Sequence, residues 1–524
     1  MATIFDRAPM SDGRKKNTQT VFKGYDHREG AGDGSVWHMQ NMSGDHYPFA
    51  SSRAPRIISR HLATPNGITG YDGLYYVDGT AFYADGVYKG AVTNSRKRFA
   101  FLGSILVILP DKAYYNTDTG EFGSLEASWS GTASFADGTY MGEDAKGCRI
   151  TTTGSAFPFR AGDAVTITGA SNEQNNQTII IREISEDGKS LGFYEHSFSV
   201  ASGQTLTITR SVPDMDYICQ NENRLFGCKG DTIYASKLGD AYNWYVFDGL
   251  ATDSYALDVG SPGDFTGCTA FMGFAVFFKE NHIYKLYGDK PSNFQAMASA
   301  SLGVMEGAGD SPAIAGETLY YLSRMGVMAY TGGVPTNISA PFGTDSYSRA
   351  VGGSDGMRYY VSMYNDAEDA WSLFCYDTRV RQWYREDDTE AVGFAWYDGL
   401  RMLASDGTMY RIGAYRQRED GQSEESEVQS VLEFGDITED SPDHKYCCKI
   451  LLRLDLDAGA SVSVHASFDG RGYRQVSQVR SPVKQSYYMP LPLQRYDHCR
   501  IRLNGTGGWK LCSLTREYAA GSEK

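Results

Sequence analysis

Lys229-Gly230-Asp231-Thr232-Ile233-Tyr234 is followed by Lys279-Glu280-Asn281-His282-Ile283-Tyr284 and then by Ser323-Arg324-Met325-Gly326-Val327-Met328. In each stretch a polar turn leads into a β-branched residue and a large side chain, which is the chemistry of a β-hairpin whose Asp, Asn or Gly residues supply positive φ. Ile233 to Ile283 and Ile283 to Val327 are 50 and 44 residues apart, close to the roughly 40 to 50 residues of a four-stranded propeller blade. The unit recurs at 83–88, 109–114 and 405–410, and a related hairpin runs over 374–384 with its turn at 377–379. One such sheet cannot bury both of its faces, whereas blades stacked face to face can. The repeat therefore predicts a β-propeller of five to seven blades, about six.

Composition agrees with an all-β chain. There are 36 Tyr, 25 Phe and 58 Gly in 524 residues, a mixture that suits short strands and tight turns better than helices, which each Gly weakens by about 1 kcal/mol. The length exceeds what one hydrophobic core serves, so several domains are expected. Apolar runs such as Ile105–Leu109 and 274–278 have strand length, well short of the roughly 20 residues of a membrane-spanning helix, so no span is expected. The first residues lack an apolar stretch with a cleavage site, which predicts folding in the cytoplasm. The nine Cys are scattered through apolar strands and are expected to be reduced thiols.

Residues 1–60 show no sustained alternation and read as an extended arm. The propeller is assigned to 61–127 and 213–414. The interval between Ala113 and Ile233 is longer than one blade needs, and the excess, 128–212, carries its own strands at 163–169, 178–184 and 204–209; it is expected to be an inserted small β-barrel. A charged linker, 416–427, precedes a C-terminal β-sandwich over 428–520, whose segments 450–456, 461–468 and 499–503 alternate with period two.

The net charge is −15, but residues 1–60 hold nine Lys/Arg against six Asp/Glu, a balance of +3, so the rest carries −18. An acidic body repels phosphate, which argues against nucleic-acid binding through a basic groove and is compatible with DNA passing without being gripped. In the arm, Tyr47, Pro48, Arg53, Pro55, Arg56 and Arg60 form the candidate subunit contact. The prolines favour an extended strap, and the guanidinium forks suit carboxylates on an acidic neighbour.

Three stretches resemble virion modules of phages and prophages: the strap from Asn41-Met42-Ser43 to Arg56, Phe159-Arg160-Ala161-Gly162-Asp163-Ala164-Val165-Thr166-Ile167, and the block from Tyr488 to Gly507. The propeller organisation is similar to the nozzle proteins of short-tailed phages. What this resemblance implies is a structural tail protein in a homo-oligomeric, hexameric ring at the DNA channel, contacting other tail proteins in a virion assembled in the host cytoplasm. The alternative is a host-recognition or carbohydrate-binding tail protein, with 243–245 and 394–397 as aromatic loops able to stack on sugars.

No enzyme, cofactor or metal is expected. Gly352-Gly353-Ser354-Asp355-Gly356 fits the G-x-S-x-G pattern but is followed by a strand where a nucleophile elbow needs a helix. Ser467-Phe468-Asp469-Gly470-Arg471-Gly472-Tyr473 is similar to the Asp-box of sialidase propellers with its Gly spacing off by one, and is read as a hairpin turn. The sequence has no C-x-x-C and no H-E-x-x-H. A propeller glycosidase would need a carboxylate pair that the sequence does not single out.

Overall fold

A computed structural model describes residues 13–139, 146–194, 198–413, 422–439, 444–491 and 494–520. The described chain is all-β, with three short 3-10 turns and no α-helix. No helix among the described residues is long and apolar enough to cross a membrane. The chain divides into two compact units, 63–309 and 1–62 with 310–524.

The first unit holds four antiparallel four-stranded sheets, over 65–91, 98–124, 217–258 and 267–300, each a meander in chain order. Their strands read as buried runs, for example Phe274–Lys279 and Arg224–Lys229, because both faces meet apolar neighbours. Phe82, Tyr115 and Ile108 form a core between the first and second sheets; Val107, Ile218 and Leu225 form one between the second and third; Cys228, Ile233 and Phe277 form one between the third and fourth. Sheets adjacent in sequence thus pack face to face.

The hairpins follow the turn chemistry expected of them. Between the first and second strands of the later sheets the loop has two residues, both at positive φ, as at Glu222 (45°) with Asn223 (60°) and at Met272 (53°) with Gly273 (77°). This primed geometry matches the right-handed twist of the strands it joins.

Between the second and third sheets the chain leaves to build a seven-stranded sheet over Ala127–Arg210, and returns. Trp129, Ile150, Val165, Phe193 and Ile208 give it a core of its own. Its two outer strands, Thr178–Ile180 and Glu183–Ile184, are nearly consecutive in the chain. Ile181 N–H donates to Asp163 on one side, and Arg182 N–H donates to Gly192 on the other. A single kinked segment therefore covers both edges of the sheet.

The second unit holds three further meanders, over 313–337, 347–387 and 391–412. Val351, Tyr360, Leu373 and Met402 pack between the last two. The sheet of 391–412 takes its fourth strand, Ile57–His61, from the N-terminal segment, antiparallel to Thr408–Ile412. Here Gly407 is required, since its φ is +90° and a Cβ would stand 1.9 Å from the Leu62 carbonyl oxygen.

The C-terminal strands form two sheets, and the N-terminal segment adds strands to both. Val36–Gln40 pairs with Gln429–Phe434 in one. Ala50–Ser52 and Arg14–Gln19 pair with Trp509–Ala520 in the other. The segment read as an extended arm for a neighbour is thus woven into its own chain, because its short strands satisfy ladders that the C-terminal strands leave open. Residues 1–12 of the arm and 416–421 of the linker lie outside the described residues.

Candidate functional site

The predicted contact residues divide by burial. Arg53 and Arg56 are buried, at 6% and 2% exposure, whereas Tyr47, Pro55 and Arg60 are exposed and Pro48 is half-buried. The carboxylates that the two guanidiniums seek come from this chain. Arg53 donates to Glu425 Oε2 at 2.5 Å and to Asn41 Oδ1 at 2.7 Å. Arg56 donates to Glu386 at 2.7 Å, lies 2.8 Å from Asp387, and spreads over the Tyr410 ring at 5.4 Å.

Burial alone would raise the Asp387 pKa, but Arg56, Thr389 and Arg53 outweigh it and hold the carboxyl below its usual range. Nearby, Arg358 donates to Asp377 at 3.1 Å and to Asp45 of the N-terminal segment at 2.6 Å. These ion pairs fasten residues 41–56 to the sheet of 347–387. They fix where the segment lies and present no reactive group to solvent.

The aromatic loops fare unevenly. Trp244 is 2% exposed and its indole donates to Ala241 O, so it belongs to the core. Tyr245 at 36% and Trp396 at 48% are exposed. Asn243, beside Trp244, serves the fold, since together with Arg210 and the Arg160 amide it donates to the buried Asp163 carboxylate and so ties the 127–210 sheet to the loop before Tyr255–Asp258. Ser354 of the G-x-S-x-G stretch ends a strand, and its hydroxyl accepts from Gly356 N–H in a hairpin turn. None of the nine cysteines is in a disulfide.

Two open cavities among the described residues lie in the second unit. One, of about 420 Å³, is lined by Leu322, Arg324, Phe342, Asp345 and Tyr347 among others. Burial and Glu368 raise the Asp345 pKa against the pull of His27.

The other, of about 350 Å³, opens on the five-stranded C-terminal sheet that holds Ser461–Phe468 and Arg474–Val479. Its floor is Ala466, Phe468, Val476 and Leu491, and its rim carries Arg471, Arg474, Gln475 and Gln494 with no carboxylate. The strand Ser461–Phe468 points Ala466 and Phe468 inward, while Arg474–Val479, an outer strand, presents Arg474 and Gln475. The turn between them is shaped by Asp469 at φ 49° and Gly470 at φ 69°. The Asp469 carboxylate is occupied as an acceptor for the Asp497 and His498 amides. A volume of this size falls in the range of small-ligand sites, and an apolar floor with a few polar groups is their usual lining. Sequence reading singled out 467–473 only as a turn. Leu491 and Gln494 come from a distant stretch, and no local signal joins them to it.

No protein-family model matches the chain, and no curated protein matches it. Solved structures similar to it include an exo-β-1,3-galactanase from Phanerochaete chrysosporium, at 10% identity over 57% of this chain and 94% of that one, TM-score 0.22. The phage phi92 endosialidase matches at 9% identity over 74% of this chain and 63% of that one, TM-score 0.23. Hsv2 from Kluyvelomyces marxianus matches at 10% over 66% and 92%, TM-score 0.26.

The expectation that the chain is not an enzyme is corrected by these likenesses, which include glycoside hydrolases and an endosialidase. At such TM-scores no activity passes from those proteins to this one.

Proposed function

We propose that this chain is a phage tail protein that recognises carbohydrate on its host, and that the groove on the C-terminal sheet is where the sugar sits. The observation that carries the reading is the groove itself: an apolar floor beneath two amide and two guanidinium side chains, free of carboxylates, in a chain of net charge −15. Pyranose rings offer a C–H face to an apolar floor and hydroxyls to amides, each of which both donates and accepts. The phage assignment rests on the resemblance of residues 41–56, 159–167 and 488–507 to virion modules. We further propose that the seven meander sheets are propeller blades and that the 127–210 sheet closes as a small barrel.

The nozzle-like ring is the competing proposal. Arg53 and Arg56, the residues meant to grip a neighbour, are engaged within their own chain, so such a ring would have to use other surfaces.

Retention of the purified protein on host cell-wall polysaccharide tests the reading. Wild type is expected to be retained, and Val476→Trp, which fills the groove, to elute in the void. Equal elution of both from every host polysaccharide overturns it. Release of reducing ends from the retained glycan would add turnover to binding.

A further inference from the structure

We infer that the groove selects carboxylate-bearing saccharides, uronic-acid-type sugars, over neutral ones. This rests on the carbohydrate reading and deepens it. The two rim arginines differ in how free they are. Arg471 is 75% exposed at its side chain and has a long ion pair, 3.9 Å, with Asp469. The two backbone amides take Asp469 Oδ1, and Oδ2, which faces Arg471, stands beyond hydrogen-bond distance of the guanidinium. Arg474 is exposed on an outer strand opposite Ala466, a floor residue, so its guanidinium rises from the edge of the apolar floor.

Arg500 and Arg502, on a neighbouring strand of the same sheet, are by contrast committed to Asp436 at 2.6 Å and Glu433 at 3.2 Å. The rim therefore keeps its cationic forks for something outside the chain. A guanidinium fork matches a carboxylate in a planar, bidentate way that it cannot match with a lone hydroxyl. Gln475 and Gln494 supply the donors and acceptors that hydroxyls require, and Phe468 with Leu491 the surface that a ring face covers. A ligand that uses all three kinds of group at once has hydroxyls, an apolar ring face and a carboxylate.

The test is calorimetric titration of the full chain with oligogalacturonate and with its carboxyl-reduced, neutral counterpart. Wild type is expected to bind the uronate at least tenfold more tightly. Arg474→Gln is expected to lose about tenfold for the uronate, the worth of one charge-assisted hydrogen bond, and with it most of the preference over the neutral oligomer. Equal binding of the two oligomers, or an unaltered uronate affinity in Arg474→Gln, overturns the charge selection and leaves the carbohydrate reading standing. Binding of neither oligomer, with an acidic peptide bound in their place, overturns both. Arg474 is exposed, so the variant folds, and unchanged thermal melting verifies this.

Discussion

Arg56→Ala is the most informative perturbation of this fold. The guanidinium is 2% exposed, contacts Glu386 and Asp387 at 2.7 and 2.8 Å, and covers the Tyr410 ring. Wild type sets two guanidiniums against three carboxylates, Glu386, Asp387 and Glu425, whose side chains are 11 to 18% exposed. The variant sets one against three. Removing one member of a buried pair costs about 3 to 5 kcal/mol, because the remaining charges stay out of water. Arg53 still faces all three carboxylates, which places the expected loss near the lower end, about 3 kcal/mol.

Hydrogen exchange of the full chain reads this locally. Amides of Ile57–His61 and Thr408–Ile412, which share a ladder beside the cluster, should lose about a hundredfold in protection. Adding Glu386→Gln should restore part of it, since the two sites are coupled. Arg14→Ala, which breaks an ion pair whose arginine is 49% exposed, should change protection by less than about fivefold, the worth of a surface pair. If Arg56→Ala behaves like Arg14→Ala, the cluster is not what holds the N-terminal segment.

Acid should weaken the second unit before carboxylates titrate. Burial, with Arg385, Arg502 and His27 against a weaker pull from Glu368, lowers the His38 pKa from 6.5 to about 4. The unfolded chain therefore binds the proton first, and stability falls as pH drops from 6.5 towards 4, by up to about 1.4 kcal/mol per pH unit. His38→Gln should flatten that limb in urea titrations at stepped pH, and a limb of unchanged slope would refute it. Asp387, whose pKa is depressed, contributes stability that is lost as pH falls from the usual carboxylate range through its lowered value. Gly407→Ala should lower stability by about 2 kcal/mol or more, since it combines positive φ with a clash on Leu62 O; Gly230→Ala, at φ +53° with open space around it, should cost about 1 kcal/mol, and thermal melts compare them. Asp163→Asn removes the charge that Arg210 meets at 2.5 Å and should cost about 2 kcal/mol, read as faster proteolytic cutting at the ends of the 127–210 sheet.

The meander repeat was legible because its turns carry chemistry. Five of the seven hairpins recognised in the sequence, at 109–114, 229–234, 279–284, 323–328 and 405–410, join the second and third strands of their sheets. They mark the period for that reason. The sheet of 347–387 makes that turn with Asn365-Asp366-Ala367-Glu368-Asp369, without Gly, and the sheet of 65–91 makes it at Gly79-Thr80. In both sheets the hairpin recognised in the sequence is instead the one between the third and fourth strands, at 83–88 and 374–384.

The strands of the N-terminal segment were illegible for a different reason. Arg14–Gln19 reads RKKNTQ and is largely exposed, and Met42–Ser43 has two residues. Neither length nor alternation can show such strands, since only their long-range partners make them strands. The groove is assembled in the same way, from residues 466–494 that meet only after the C-terminal sheets have formed.

The N-terminal segment changes what its removal should do. If it were a strap for a neighbour, deleting residues 1–62 would leave a folded chain that assembles poorly. In the structure the deletion strips Ile57–His61 from the 391–412 sheet and Val36–Gln40 and Ala50–Ser52 from the two C-terminal sheets. It also removes both arginines from Glu386, Asp387 and Glu425 at once. Open ladders beside apolar faces are aggregation templates, and three carboxylates left without cations in a semi-buried site repel one another. The truncated chain should therefore be recovered in the insoluble fraction. A soluble, monodisperse 63–524 fragment with native exchange protection across Thr408–Ile412 would show that the segment is an accessory to the fold and would return it to the role of a strap.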